Sequence, residues 1–464
     1  MVVSGSATTV SVGGKAAFVY SQSVAAQLAV ELPIDVPTGP TTMTVTAGGQ
    51  TSAAFALTIS AYAPALASAD GSGSGIGLLY DSAFEQITAA NQATPGQALI
   101  AYATGLGATN PVVPTGTAPT GPAQATATVT VSVAGEKKTA AFAGEGPTTA
   151  DGYYQVNFTV PMDATGCDTG LVLSVGGISS PPVSVPIKTP KATLCAAENA
   201  ATGLVRDATH GAAANSFLAI YAANLGGASA NNLYPASSSQ GIQVTYNGTP
   251  LPLYSITPLP PSQTLVNTAL PANAGSSGTG TLTVTNSAGA SQSYTIALAP
   301  ADLGVFRLPD PHDAARVQGV VLLANSYWFA MPASLAPSYN LPACTGLAAT
   351  SPCGQPAHPG DNIVIYLTGG GLATPNGDPN GTPLALGSVA PADGSVIYKT
   401  VAQPTITIGG ISASPAFSGI APGTAAEYQI NTTIPAGVQP GDDVPIVISM
   451  SGSKDTITIA VAAQ

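Results

Sequence analysis

Charge is what this chain has least of. Its 464 residues include 10 Lys and Arg against 22 Asp and Glu, so 7% are charged and the net charge is −12. A typical soluble domain is about one-quarter charged. Ten basic residues spread over this length cannot form the clustered cationic face that phosphate backbones require, which excludes nucleic acid as a partner. Long apolar runs are also absent. The most apolar stretch, Val317–Ala330, is interrupted by Gln318, Asn325 and Ser326, short of the ~20 residues a helical membrane span needs. Aromatics make up 6% of the chain, with a single Trp, and there are three His and four Cys. Only the opposite pair of residues is plentiful. Gly (52) and Pro (41) together account for about a fifth of the sequence. Interior proline breaks helices, so that density excludes a helical bundle. An apolar fraction of 45% with mean hydropathy of +0.31 argues against disorder, which needs low hydrophobicity and high charge.

Internal repetition organises what remains. A short strand ending in proline occurs four times: Gln27–Pro33, Gln155–Pro161, Leu265–Pro271 and Gln429–Pro435. Each is followed by a turn, an alternating strand, a tight Gly or Ser turn and a last strand. Upstream lies a hairpin, seen at Thr9–Val12 with Gly13-Gly14, Thr128–Val133 with Gly135, Ile242–Tyr246 with Asn247-Gly248, and Thr405–Ile408 with Gly409-Gly410. Asn-Gly and Gly-Gly between alternating strands favour two-residue turns with positive φ. Three copies have an opening strand as well, at Ala98–Tyr102, Phe217–Tyr221 and Ile363–Tyr366.

About seven short strands per ~90–100 residues is the pattern of an immunoglobulin-like sandwich. The expected fold is therefore all-β, with tandem immunoglobulin-like β-sandwich modules joined by short β-hairpin connectors. The expected modules are a partial one over 1–64 that lacks its opening strand, and complete ones over 95–190, 213–300 and 358–464. Connectors occupy 65–94, 191–212 and 301–357, the last containing a disulfide loop. Ordered connectors of this kind predict a stiff rod.

The motif P-G-x5-Y-x-T-G-x-G, read at Pro95–Gly107 and Pro359–Gly371, is paired with Tyr154–Pro161 and Tyr428–Pro435. Together with the Gly-turned hairpin and the connector Asp70–Gly75, it resembles the immunoglobulin-like C-terminal repeat domain of acidobacterial secreted proteins. The middle module departs from the motif, with Asn224 in place of Gly and Thr264 in place of the aromatic. The resemblance implies export to the cell surface or beyond, with no enzyme activity, no cofactor and no catalytic residues.

The candidate chemistry is sparse. Cys344 and Cys353 bracket a short loop, while Cys167 lies in a turn and Cys195 just past the same module. Two local disulfides suit an oxidising compartment. A metal site is the weaker alternative, because there is no C-x-x-C and only His358 lies near either pair. His210, His312 and His358 sit in Gly, Ala and Pro-rich connectors and read as solvated loop residues. Asp163 with Asp168, and Asp442 with Asp443, could bind calcium weakly, but without an Asp-x-Asp-x-Asp run they read as turn carboxylates. Gly71–Gly75 lacks the register of a nucleophile elbow. The sequons at Asn157, Asn247, Asn380 and Asn431 include two within the repeated strand.

Tyr327, Trp328 and Phe329 form the candidate interaction patch. They could contact a partner or stack on a surface glycan, although alternate members of a hairpin filling the gap between modules is the favoured reading. At the N-terminus, Met1–Gly5 lacks the features of a signal peptide, so the chain is expected to be the mature or truncated part of a longer precursor. Its partial first module makes Thr9, Val10, Ser11 and Val12 the candidate assembly edge, open to strand addition by other copies of the chain. The resulting expectation is an extracellular fibre subunit, with a monomeric adhesin or an accessory region of a larger secreted enzyme as alternatives.

Overall fold

The computed structural model describes residues 8–22, 27–146, 152–259 and 263–463. Among these, the single helical element is a short 3-10 turn at Ala336–Tyr339, and the rest of the regular structure is strand. The all-β expectation holds. Two compact units divide the chain, the first ending at Thr189 and the second beginning at Pro190.

In the first unit, residues up to Ile59 form one six-stranded sheet. Thr9–Val12 lies between Lys15–Gln22 and Gly39–Ala47, and Gly39–Ala47 in turn carries Gln50–Thr51 and Phe55–Ile59. Leu28–Glu31 pairs with the far end of Lys15–Gln22, from Phe18 onward. The second module is a complete sandwich. One sheet is built on Ala98–Thr104 and Tyr154–Thr159, and the other on Val129–Val133 and Gly170–Val175. Alternation places Val129, Val131, Val133, Leu171, Leu173 and Val175 inward, against Leu99, Ala101, Val156 and Phe158. This is the period-2 pattern of facing sheets.

The second unit holds the other two sandwiches, built the same way. Phe217–Ala223 pairs with Gln263–Ala269 in the middle module, and Asn362–Thr368 pairs with Tyr428–Thr433 in the last. The facing sheets centre on Thr279–Asn286 and Gly441–Met450. Each sandwich buries its own apolar cluster.

The connectors are not free-standing hairpins. Leu79–Asp81 pairs with Ala98–Thr104, Thr193–Asn199 with Phe217–Ala223, and Val321–Leu323 with Asn362–Thr368. Each stretch expected to be a hairpin connector thus adds a strand beside the opening strand of the module that follows. The physical reason is that an opening strand paired on one side only would leave a row of backbone groups bare.

Candidate functional site: an open sheet and the joints between modules

The structure corrects the expected assembly edge. Val10 pairs with both Ala17 and Val45, and Val12 with both Lys15 and Met43. Val10, Ser11 and Val12 therefore sit inside the sheet with both edges taken, and Thr9 pairs with Thr46. At one end of this sheet the outermost strand is Leu28–Glu31, which among the described residues pairs with Lys15–Gln22 alone. It occupies the place that Tyr154–Thr159 and Tyr428–Thr433 hold in complete modules, where an opening strand covers the second edge. Its Glu31 end is engaged within the first unit, since Gly116 N–H donates to Glu31 Oε2 at 3.0 Å.

The face of this sheet is also partly bare. Register matches Phe55 to Val183 of the second module and Ile457 of the last, because each lies opposite the inward residue of the penultimate long strand (Met43, Leu171, Ile446). Val183 is 2% exposed and Ile457 0%, whereas Phe55 is 65% exposed. Leu57 and Ile59 are partly exposed where their counterparts Ile459 and Val461 are buried. Among the described residues, all three buried apolar clusters belong to the complete modules.

The G-x-G of the repeated motif is a seat for the incoming chain. A Cβ on Gly105 would lie 2.0 Å from the Ala63 carbonyl oxygen, and one on Gly369 would lie 1.8 Å from that of Asp302. Both glycines have positive φ, so only glycine meets both demands at no cost. The incoming backbone is fixed there by Ala63 N–H to Gly105 O at 2.9 Å and Asp302 N–H to Gly369 O at 2.8 Å. The motif tyrosine caps the same turn: Tyr154 OH donates to Gly107 O, and Tyr428 OH to Gly371 O. Burial pushes the Tyr154 phenol up to about 12, with the Glu145 and Glu31 carboxylates adding to the rise. In the middle module both partners change together. Asn224 keeps the positive φ and Thr264 replaces the capping tyrosine. The division between the two units falls at the segment entering this module.

Within the second unit, the joint is reinforced by a buried ion pair. Arg206 Nη2 lies 2.5 Å from Asp302 Oδ1, and both residues are buried. Asn199 Nδ2 donates to Asp302 O at 2.9 Å and Ser216 Oγ approaches Asp302 Oδ2 at 3.4 Å. Burial raises the Asp302 carboxyl above the ordinary range, against the pull of Arg206. A loop of the following module also straps each joint. Gly116 sits against the Phe18 ring in the first unit, and Tyr234 OH donates to Ser388 O at 2.6 Å in the second.

Cys344 and Cys353 form a disulfide. Cys167 and Cys195 are also both disulfide-bonded, and none of the four is free. The aromatic patch divides. Trp328 is half-buried with its indole N–H donated to Ala348 O at 3.3 Å, and Phe329 pairs with Leu322, while Tyr327 stays exposed. Asp443 takes the Arg316 guanidinium at 2.6 Å. His210 and His358 stand beside Asp207 and Asp361 in exposed turns. No group of three or more His, Cys, Asp or Glu side chains is placed to hold a metal among the described residues, and no described helix is long and apolar enough to cross a membrane.

Asp70 organises the Gly-Ser turn. Its carboxylate accepts from Ser72 N–H, Ser72 Oγ and Ser68 Oγ at 2.7–3.0 Å, and these bonds, the Ser72 amide foremost, hold it at about 2. A depressed carboxylate stabilises above its unfolded value, near 4, and that contribution is lost as pH falls through the folded one. Protection of the Ser68–Gly75 amides, relative to the exchange of an unstructured peptide at the same pH, should therefore fall between pH 4 and about 2, and an Asp70→Asn variant should not show the step.

No family model and no curated protein matches the chain. Among solved structures, it is similar to titin domains I67–I69, with 8% identity, 80% of this chain and 95% of that one covered, and a TM-score of 0.15. It is also similar to InvD of Yersinia pseudotuberculosis, with 10% identity, 88% and 100% coverage, and a TM-score of 0.19. The N-terminal eight Ig domains of Down Syndrome Cell Adhesion Molecule match at 10% identity, 98% and 44% coverage, and a TM-score of 0.18. With TM-scores this low, none carries an argument about this chain, whose fold rests on its own strand pairing.

Proposed function

We propose that this is a non-enzymatic extracellular structural protein whose copies join head to tail through the first module. The observation that carries this reading is the bare apolar face at Phe55, Leu57 and Ile59, whose counterparts are buried in complete modules. Strand addition beside Leu28–Val30 would pair the open edge and bring a second apolar layer over that face. A contact between different surfaces of two copies extends into a filament when it does not close on itself. The disulfides suit an oxidising compartment, and the repeat pattern's resemblance to acidobacterial secreted domains points the same way.

Electron micrographs of the purified chain at high concentration should show filaments. Phe55→Lys places a charge on the bare face without touching a complete sandwich, and should leave single particles with unchanged circular dichroism. Wild-type protein that stays dispersed, or Phe55→Lys protein that still polymerises, would overturn the reading.

A further inference from the structure

One small contact recurs in all three complete sandwiches. Just before each opening strand stands a fully buried alanine: Ala93, Ala212 and Ala357. Each pairs in parallel with the module's final strand, at Ile187, Leu298 and Val461. The hydrogen bonds are the same each time. Ala93 N–H donates to Pro186 O at 2.9 Å and Lys188 N–H to Ala93 O at 2.8 Å; Ala212 N–H donates to Ala297 O at 3.0 Å and Ala299 N–H to Ala212 O at 2.9 Å; Ala357 N–H donates to Ala460 O at 2.9 Å and Ala462 N–H to Ala357 O at 2.7 Å. The second and last modules add further parallel pairs between incoming and final segments, Ile76 with Ser184 and Gln318 with Thr458.

Parallel pairing of the first and last segments has a mechanical consequence. Tension on the two ends of a module pulls the incoming segment toward its N-terminal side and the final strand toward its C-terminal side. In a parallel pair these directions are opposite along one line, so both hydrogen bonds are loaded together in shear. An antiparallel pair of terminal strands would be pulled from one end and open bond by bond.

We infer that the alanine contact is a tension latch, and that the chain bears load between its ends through the latched middle and last sandwiches; in the second, the disulfide bonding of Cys167 and Cys195 carries the tension past Ile187. Among the described residues of the first module no such contact is present, and the final strand Phe55–Ile59 pairs with Gly39–Ala47. Forced unfolding is governed by the barrier to opening and not by equilibrium stability, which separates the latch from ordinary packing. The inference concerns single chains and stands whether or not copies assemble.

The test is single-molecule pulling of the full chain by its termini. Two high-force events, from the middle and last modules, are expected of the oxidised chain, each releasing roughly 30 nm at up to about 3.6 Å per residue, after the first module yields at lower force, and a third appears once the disulfide at Cys167 and Cys195 is reduced. Ala357→Pro deletes one N–H donor, and the high-force event of the last module should be lost while that of the middle module persists. Handles on Ser412→Cys and Lys454→Cys, both exposed and on different strands of one sheet, pull the same module across its strands. That geometry should open it at lower force than end-to-end pulling. Equal forces in the two geometries would overturn the latch, as would wild-type forces in a folded Ala357→Pro chain. If Ala357→Pro does not fold, the comparison of geometries decides alone.

Discussion

Arg206→Met should destabilise the second unit by about 3–5 kcal/mol, because it strands the Asp302 carboxylate in a place where water cannot reach it. The cost comes less from a lost attraction than from an uncompensated buried charge. Asp302 would keep only Asn199 and the weak approach of Ser216 Oγ at 3.4 Å to offset its burial. The double variant Arg206→Met with Asp302→Leu removes both charges and should recover most of the loss. Urea denaturation of the three proteins checks this. A single variant as stable as wild type would show that the joint does not depend on the pair. Arg206 Nε has no partner, so the wild-type pair is itself incompletely satisfied, which favours recovery in the double variant.

Gly369→Val is the second change with a large expected effect. The added Cβ would stand 1.8 Å from a backbone oxygen that is itself held by the joint, and the residue would be forced to keep a φ of +72°. Left-handed backbone alone costs a branched residue about 1–2 kcal/mol, and displacing the Asp302 segment adds to it. The sum should exceed about 3 kcal/mol on the scale of backbone strain and overpacking. Gly226→Ala is the control. Gly226 also has positive φ, but nothing lies within 4 Å of its Cβ position, so only the conformational term of about 1 kcal/mol applies. Similar losses in both variants, measured by thermal unfolding, would mean that the close approach to Asp302 carries no weight.

Much of this architecture was legible in the sequence because its signals are local. Period-2 alternation in segments such as Val129–Val133, closed by Gly-Gly or Asn-Gly turns, reports a half-buried strand within a few residues. The complete modules and the aromatic hairpin at Tyr327–Phe329 followed from that. The assembly edge was misplaced for a physical reason. Lys15–Gln22 runs on as one strand that pairs with Thr9–Val12 and then with Leu28–Glu31, so the bare edge moved two strands away. Connector strands such as Leu79–Asp81 were separated from their modules because three-residue strands carry almost no periodicity. Arg206 and Asp302 are 96 residues apart, and a single charge in a loop announces no partner. The alanine contact had no signal at all, since one Ala in an Ala-rich chain looks like any other.

The seat formed by the G-x-G turn reads no side chain of the segment it receives. What approaches Gly105 and Gly369 is the peptide carbonyl of whichever residue arrives, alanine in one joint and aspartate in the other. The turn therefore places no demand on the side chain of its predecessor, and in the second unit that demand comes instead from the Arg206–Asp302 pair. Modules carrying the turn can be duplicated or reordered without changing the turn itself, and a gene built from them can lengthen its product one domain at a time. The middle module, with asparagine at that position, would be the one copy unable to take an arbitrary place in such a series.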